Sequence, residues 1–149
     1  MTPAELDTYL AENIPLTRAL AVRALRVDDE RVELAAPLAP NRNHRATAFG
    51  GSVAALAMLA GWGWLRARLG ERAVGLQLVI QRQEMEFLAP IDADFVSSCA
   101  APAPPEWQRF QRTLGARGRA RLELAVEVRC ADRLVARFRG AYAAVRAAT

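Results

Sequence analysis

The chain contains no lysine: all 20 of its basic residues are arginine, set against 16 acids for a formal charge of +4. An Arg-only, Ala-rich composition reads first as the mark of a GC-rich genome. The excess positive charge favours acidic partners through long-range steering. No aromatic-interleaved basic motif or nucleic-acid module accompanies it, so nucleic acid is not an expected partner. Cysteine is nearly absent as well. Cys99 and Cys130 form no CxxC pair and lie in apolar strand-like runs, which reads as two buried free thiols in a reducing cytoplasm. With one histidine, His44, and scattered carboxylates, no metal-ligand spacing appears and no metal is expected.

A signal peptide is not evident, because Met1 to Leu10 is polar and acidic. Ala46 to Leu65 carries no charge over 20 residues, long enough to cross a bilayer. It holds four glycines with Thr47 and Ser52, follows the polar Asn41–Arg45, and precedes strand-like alternation. A buried central helix fits it better than a membrane span. At 149 residues and 52% hydrophobic, residues 1–149 suffice for one domain with a sizeable core, and two would each be too small.

Local signals order the elements. Thr2-Pro3-Ala4-Glu5 predicts a helix start with a Thr cap, Pro at the first position and a capping Glu; the helix runs to about Glu12 and stops near Pro15. Leu16–Val27 and Arg31–Leu38 read as strands joined at Asp28-Asp29, the second ended by Pro37 and Pro40. A loop over Asn41–Gly51 leads to a helix from about Ser52 to Leu69, closed by Gly70. Its apolar residues fall on all sides as far as Leu65, which predicts a helix surrounded by protein.

Gly75–Leu88 reads as a strand whose apolar phase changes face across Gln81–Glu84, the sign of a bulge or a polar functional edge. Ala93–Ala101 follows. Pro102–Gly118 reads as an irregular connection, helical around Trp107–Leu114. Arg121–Cys130 alternates strictly, and Leu134–Val145 pairs with it after the turn at Ala131–Arg133. The pattern predicts an α+β architecture, a curved antiparallel sheet wrapped around one long buried helix. Covering such a helix fully takes more sheet than one small domain supplies, so a homodimer joined through its sheets is expected, or a tetramer of two such pairs.

That architecture and several motifs resemble the hot-dog-fold thioesterase superfamily. Asn41-Arg42-Asn43, Thr47-Ala48-Phe49-Gly50-Gly51-Ser52, Gly61-Trp62-Gly63, Met85-Glu86-Phe87-Leu88-Ala89-Pro90 and Phe138-Arg139-Gly140-Ala141-Tyr142 are similar to the YiiD C-terminal-type branch. That branch includes freestanding malonyl-acyl-carrier-protein decarboxylases, and the likeness covers essentially the whole chain. It implies an enzyme acting on an acyl thioester of phosphopantetheine, carried by coenzyme A or acyl carrier protein, with no other cofactor. One departure matters. Many hot-dog thioesterases place Asp or Glu about two helical turns beyond the second Gly; here that position reads Ala57-Met58-Leu59, and the helix holds no carboxylate before Arg66.

The residues themselves point to the same junction. Backbone N–H groups at a helix start, with no side chain in the way at Gly50 and Gly51, form a donor site for a thioester oxygen, although tight helix–sheet packing would select glycine too. An Asn amide donates two hydrogen bonds without changing charge, which makes Asn43 the first candidate and Asn41 the second; an Asx turn, the bland alternative, fits Asn41 better. The expected catalytic set is Asn43, Asn41, Gly51, Ser52 and Glu84. His44, Thr47, Phe49, Gly50 and Glu86 are expected to bind substrate. Loss of carbon dioxide from a malonyl thioester requires fixed donors for an enolate oxygen, whereas hydrolysis must also activate water. The missing helix acid favours decarboxylation over hydrolysis; a silent acyl-thioester-binding protein is the third reading.

Overall fold

Thr2 caps the first helix as its neighbours predict. Its hydroxyl accepts from Glu5 N at 3.2 Å and the Glu5 carboxylate accepts from Thr2 N at 2.6 Å, a reciprocal capping box. In the computed structural model, which describes residues 1–147, this helix (α1) spans Pro3–Asn13 and buries Leu6 and Leu10.

The next segment departs from the sequence reading. Instead of a strand from Leu16, residues Leu16–Ala19 make one helical turn (α2). Pro15 sets the turn, and the Ile14 carbonyl accepts both the Thr17 N–H at 2.9 Å and the Thr17 hydroxyl at 2.8 Å. The chain reverses at Ala21, where φ is 54°, so β1 is only Arg23–Val27. β2 spans Arg31–Ala36 and stops before Pro37, which cannot donate to a ladder.

After β2 the chain enters α3, Gly50–Leu69, a helix of 20 residues. Gly70, at φ 55°, ends it as predicted. The remaining strands are β3 (Leu76–Phe87), β4 (Phe95–Ala100), β5 (Arg119–Cys130) and β6 (Arg133–Arg146). All six form one antiparallel sheet in the order β1-β2-β4-β5-β6-β3. Every second residue of β5, from Ala120 to Cys130, is buried, which realises the alternation read from sequence. Between β4 and β5 the connection is more regular than predicted: Pro104–Arg117 is a continuous helix (α4), with proline at its first positions and Gly118 at φ 66° ending it. Trp107 and Phe110 are its buried face, and Trp107 meets Trp64 of α3 edge-on at 5.3 Å.

The sheet curves around α3, which packs on β2, β3, β4, β5 and β6. This is the hot-dog fold. Enclosure of the helix is incomplete, however. Ala54, Ala55, Met58 and Trp62 remain half-buried, because β3 is the sheet's edge strand. Among the described residues no helix is long and apolar enough to cross a membrane.

A helix start and an apolar groove

The loop before α3 is held by its two asparagines, each in a different way. Asn41 is buried, 2% exposed, and its Nδ2 donates to Leu20 O at 2.9 Å and Pro37 O at 2.7 Å. Both donors are therefore spent tying the loop to the turn before β1 and to the end of β2. Asn41 anchors the loop through these donors, and the Asx turn expected of it is not formed there.

That turn belongs to Asn43, whose Oδ1 accepts from Arg45 N at 2.8 Å and Thr47 N at 3.3 Å. Its Nδ2 donates to Thr47 Oγ1 at 2.9 Å and more weakly to Ala48 O at 3.4 Å. Backbone bonds from Asn43 N to Thr47 O, 2.7 Å, and Ala46 N to Asn43 O, 3.1 Å, close the same loop. Asn43 and Thr47 are thus brought together, with each side chain serving the other. His44, Arg42 and Arg45 stand exposed on the outside of this loop.

The closed loop delivers an uncapped helix. Phe49 N donates to Asn41 O at 2.7 Å, and Val53 N makes the first helical bond, to Phe49 O at 3.1 Å. No side-chain hydrogen bond caps the start, and Ser52 lies buried in the first turn rather than capping it. The N–H groups of Gly50, Gly51 and Ser52 precede that first helical bond, where donors point out along the axis and the helix dipole favours negative charge. A Cβ on Gly51 would lie 2.4 Å from the Phe49 ring, and one on Gly50 would lie 3.2 Å from the Phe87 ring. The glycines therefore let two aromatic rings close on the helix start, and Phe49 and Phe87 stay more than half exposed as an apolar collar.

From Gly51 a groove of roughly 650 Å³ runs along the open stripe of α3 between β3 and the α1–α2 segment. Ala54, Ala55, Met58 and Trp62 form its floor, with Ile80 on one wall and Leu16 on the other. The polar atoms at its floor are already paired: Trp62 Nε1 donates to Leu78 O at 3.2 Å and the Tyr142 hydroxyl to Met58 O at 2.8 Å. Burial pushes the Tyr142 phenol well above its usual range, reinforced by Cys99 and opposed by the Trp62 backbone N–H, so it stays a neutral donor. Among the described residues the groove holds no Asp, Glu, His, Arg or Lys side chain. A larger, more open depression of roughly 880 Å³ lies between α1 and β1. Its two acids are both engaged, Asp7 by Ala24 N and Arg23 and Asp94 by Leu38 N.

Glu84 and Glu86, expected to face the cleft, do not. The β3 ladder shifts register between Ile80 and Arg82. Leu76, Leu78 and Ile80 pack inward before the shift and Met85 after it. Glu84 and Glu86 pair across from Arg139 and Arg137 and line a shallow polar depression with Glu127 on the outer face. They form a solvated strand face. The residue placed in the groove by this phase change is Gln83, which the sequence reading missed, although it shares its parity with Met85 and Phe87. Among the described residues no three His, Cys, Asp or Glu side chains are grouped to hold a metal ion.

Known structures share this fold. A protein of unknown function from Chlorobaculum tepidum TLS superposes with a TM-score of 0.89 at 25% identity, over 97% of each chain. The "putative thioesterase" of Shewanella oneidensis does so at 0.84 and 26% identity, over 96% of each. A Pseudomonas aeruginosa protein described as "Probable Thioesterase" shares the fold at 0.82 and 22% identity, over 97% of this chain and 96% of that one. A family model matches residues 3–146, and the chain belongs to that family, described as "Putative thioesterase (yiiD_Cterm)".

Proposed function

We propose that this member of an acyl-thioester enzyme family decarboxylates a malonyl thioester at the start of α3. The observation that carries the reading is an uncapped helix N-terminus beside a groove without a carboxylate. With the thioester oxygen on the Gly50 and Gly51 N–H groups, the bond between the malonyl carboxylate and the α-carbon breaks and carbon dioxide leaves. The bonding electron pair moves into an enolate whose charge rests on the thioester oxygen. Fixed N–H donors and the helix dipole stabilise that oxygen, each donor contributing on the order of 3 kcal/mol to the barrier. A proton from water then reaches the α-carbon and the product is the acetyl thioester. The reaction requires no nucleophile or strong base, and the outward-facing Glu84 and Glu86 supply none.

Hydrolysis is the second reading, favoured by the groove itself, whose roughly 650 Å³ exceeds what a malonyl group fills. It requires water activation, for which Gln83 can orient a water but cannot take its proton. His44 is the titratable side chain on the neighbouring loop, and it lies exposed.

The carrier in either case is phosphopantetheine on coenzyme A or acyl carrier protein, attracted by the exposed Arg42 and Arg45 beside the junction. We assign the protein to the cytoplasm, in keeping with the free, buried Cys99 and Cys130. A homodimer, alone or doubled into a tetramer, is supported by the 12-residue edge strand β3 with Val79 45% exposed: such an edge invites a second copy, which would also cover the open stripe of α3. Incubation with malonyl-carrier protein tests the reaction. Acetyl-carrier protein as product supports decarboxylation and released thiol supports hydrolysis. Tight binding of malonyl and acyl thioesters without either product means a silent binding protein and overturns both.

A further inference from the structure

We propose that the arginine surface formed by α4 and the first half of β5 docks the acidic face of acyl carrier protein, and that in a dimer it delivers the carrier's arm to the helix start of the other copy. The proposal rests on the acyl-thioester reading and selects the protein carrier over free coenzyme A. Residues 104–121 hold five arginines, Arg109, Arg112, Arg117, Arg119 and Arg121, against one acid, Glu106. Their excess of four equals the net charge of the whole chain, so the remainder is balanced. All five are exposed. Eight of the other arginines pair with a carboxylate, and among the described residues none of these five does.

The fold gathers them on one side. On α4, Trp107 and Phe110 turn inward and leave Arg109 and Arg112 opposite, while Arg117 stands in the last turn, where the helix dipole favours a cation. On β5, Arg119 and Arg121 lie across from Val145 and Ala143 of β6, which carry no charge. Farther along the same two strands Glu127 lies across from Arg137, so charge compensation stops where α4 and β5 meet. A depression of roughly 610 Å³ lies there between Arg109 and Arg121, and its other guanidinium, Arg82, is already held by Glu123 at 2.9 Å. Uncompensated like charges repel one another and draw an acidic partner over long range. Among the described residues no large hydrophobic side chain is exposed on α4 or β5. The surface therefore lacks an apolar wedge for a bilayer and an aromatic platform for bases, and a protein face of Asp and Glu fits it.

Within one copy this surface lies at the far end from the helix start. Arg146 N donates to Gly118 O at 2.7 Å and Ala147 N to Gly75 O at 2.9 Å, so the α4–β5 junction sits where α3 has ended and β3 begins. Gly50 lies against Phe87, where β3 finishes, roughly 30 Å away along the 20 residues of α3. Antiparallel pairing of β3 with the β3 of a second copy, about a two-fold axis, sets the beginning of one strand beside the end of the other. The arginine surface of each copy then flanks the helix start of its neighbour, together with the exposed Arg42 and Arg45 of that neighbour's loop.

Steady-state kinetics of the intact protein with malonyl-carrier protein and with malonyl-coenzyme A test this, using the double charge reversal Arg112→Glu and Arg119→Glu. KM for the carrier substrate should rise roughly tenfold or more with kcat retained, and its dependence on ionic strength should flatten. Circular dichroism and melting confirm that the variant folds. An unchanged KM, or an equal rise with malonyl-coenzyme A, overturns the docking surface. A mixed dimer of an Asn43→Ala copy and a charge-reversed copy sets intact arginines beside an intact site, and should recover about half of the wild-type carrier turnover. A mixed dimer no better than the charge-reversed homodimer, or a wild-type protein that is monomeric by light scattering, overturns delivery between copies. If the wild type turns over neither substrate, the thioester reading falls, and calorimetry with holo-carrier protein decides the surface by itself. Binding lost on charge reversal keeps it; absent or unaltered binding overturns it. Duplex DNA or phosphatidylserine vesicles bound in place of the carrier protein overturn it too.

Discussion

The hydroxyl of Tyr142 donates to the carbonyl oxygen of Met58 at 2.8 Å, midway along α3. Gly61 permits this approach, since a Cβ there would stand 2.3 Å from that hydroxyl oxygen. Gly140 makes room on the strand side, where a Cβ would lie 2.8 Å from the rings of both Phe138 and Tyr142. One hydrogen bond and two glycines thus set how deeply the helix seats in the sheet, and with it the floor of the groove.

Tyr142→Phe removes that bond and leaves Met58 O without this donor, for an expected loss of about 1–3 kcal/mol. Gly61→Ala drives a methyl group into a buried phenol, and overpacking of this kind costs about 1–3 kcal/mol or more. Urea denaturation at constant m-value measures both. A Gly61→Ala protein as stable as the wild type would show that the close approach is not needed.

Asn43→Ala should abolish most turnover while the protein remains folded. Its mechanism is positional: the amide closes the 43–47 loop through Thr47 and the Arg45 N–H, and that loop leads into the helix start. Amide exchange should therefore quicken over Arg45–Phe49 in the variant. Near-normal turnover together with a loosened loop would remove Asn43 from the positioning role.

Glu84→Gln and Glu86→Gln should leave kcat within about twofold of wild type and shift stability by no more than about 0.5 kcal/mol, as for other exposed strand pairs. Both carboxylates face Arg139 and Arg137 on the outer sheet. A hundredfold loss in either variant would place an acid back in the chemistry.

Stability should decline in alkali. Burial pushes the Cys99 thiol up from 9.0 to about 12, and pushes the Tyr142 phenol up as well. Both groups have raised folded-state values, so their contribution is complete below pH 9. As pH rises beyond that, the unfolded chain releases protons that the folded one retains, at up to about 1.4 kcal/mol per pH unit for each group. Denaturation midpoints from pH 8 to 11 measure the slope, and Cys99→Ala should reduce it. A flat profile over that range would contradict the burial of both groups.

Much of this molecule is written locally. The capping box at Thr2, the proline after β2, the glycine at the end of α3 and the strict alternation of β5 each act within a few residues, so the sequence alone determined the order of the strands about the long helix, the phase change in β3 and the start of α3 to within two residues. Leu16–Leu20 is a helical turn rather than a strand because Leu16, Ala19 and Leu20 also fit a helical period, and Pro15 with the Ile14 carbonyl decides for it. The facing of side chains was a different matter. Asn41 points inward because Leu20 and Pro37 present carbonyl groups to it, and Glu84 and Glu86 point outward because the bulge resets strand parity. The open stripe of α3 exists because β3 falls at the sheet's edge. These depend on contacts between segments distant in the chain, and only the tertiary structure decides them.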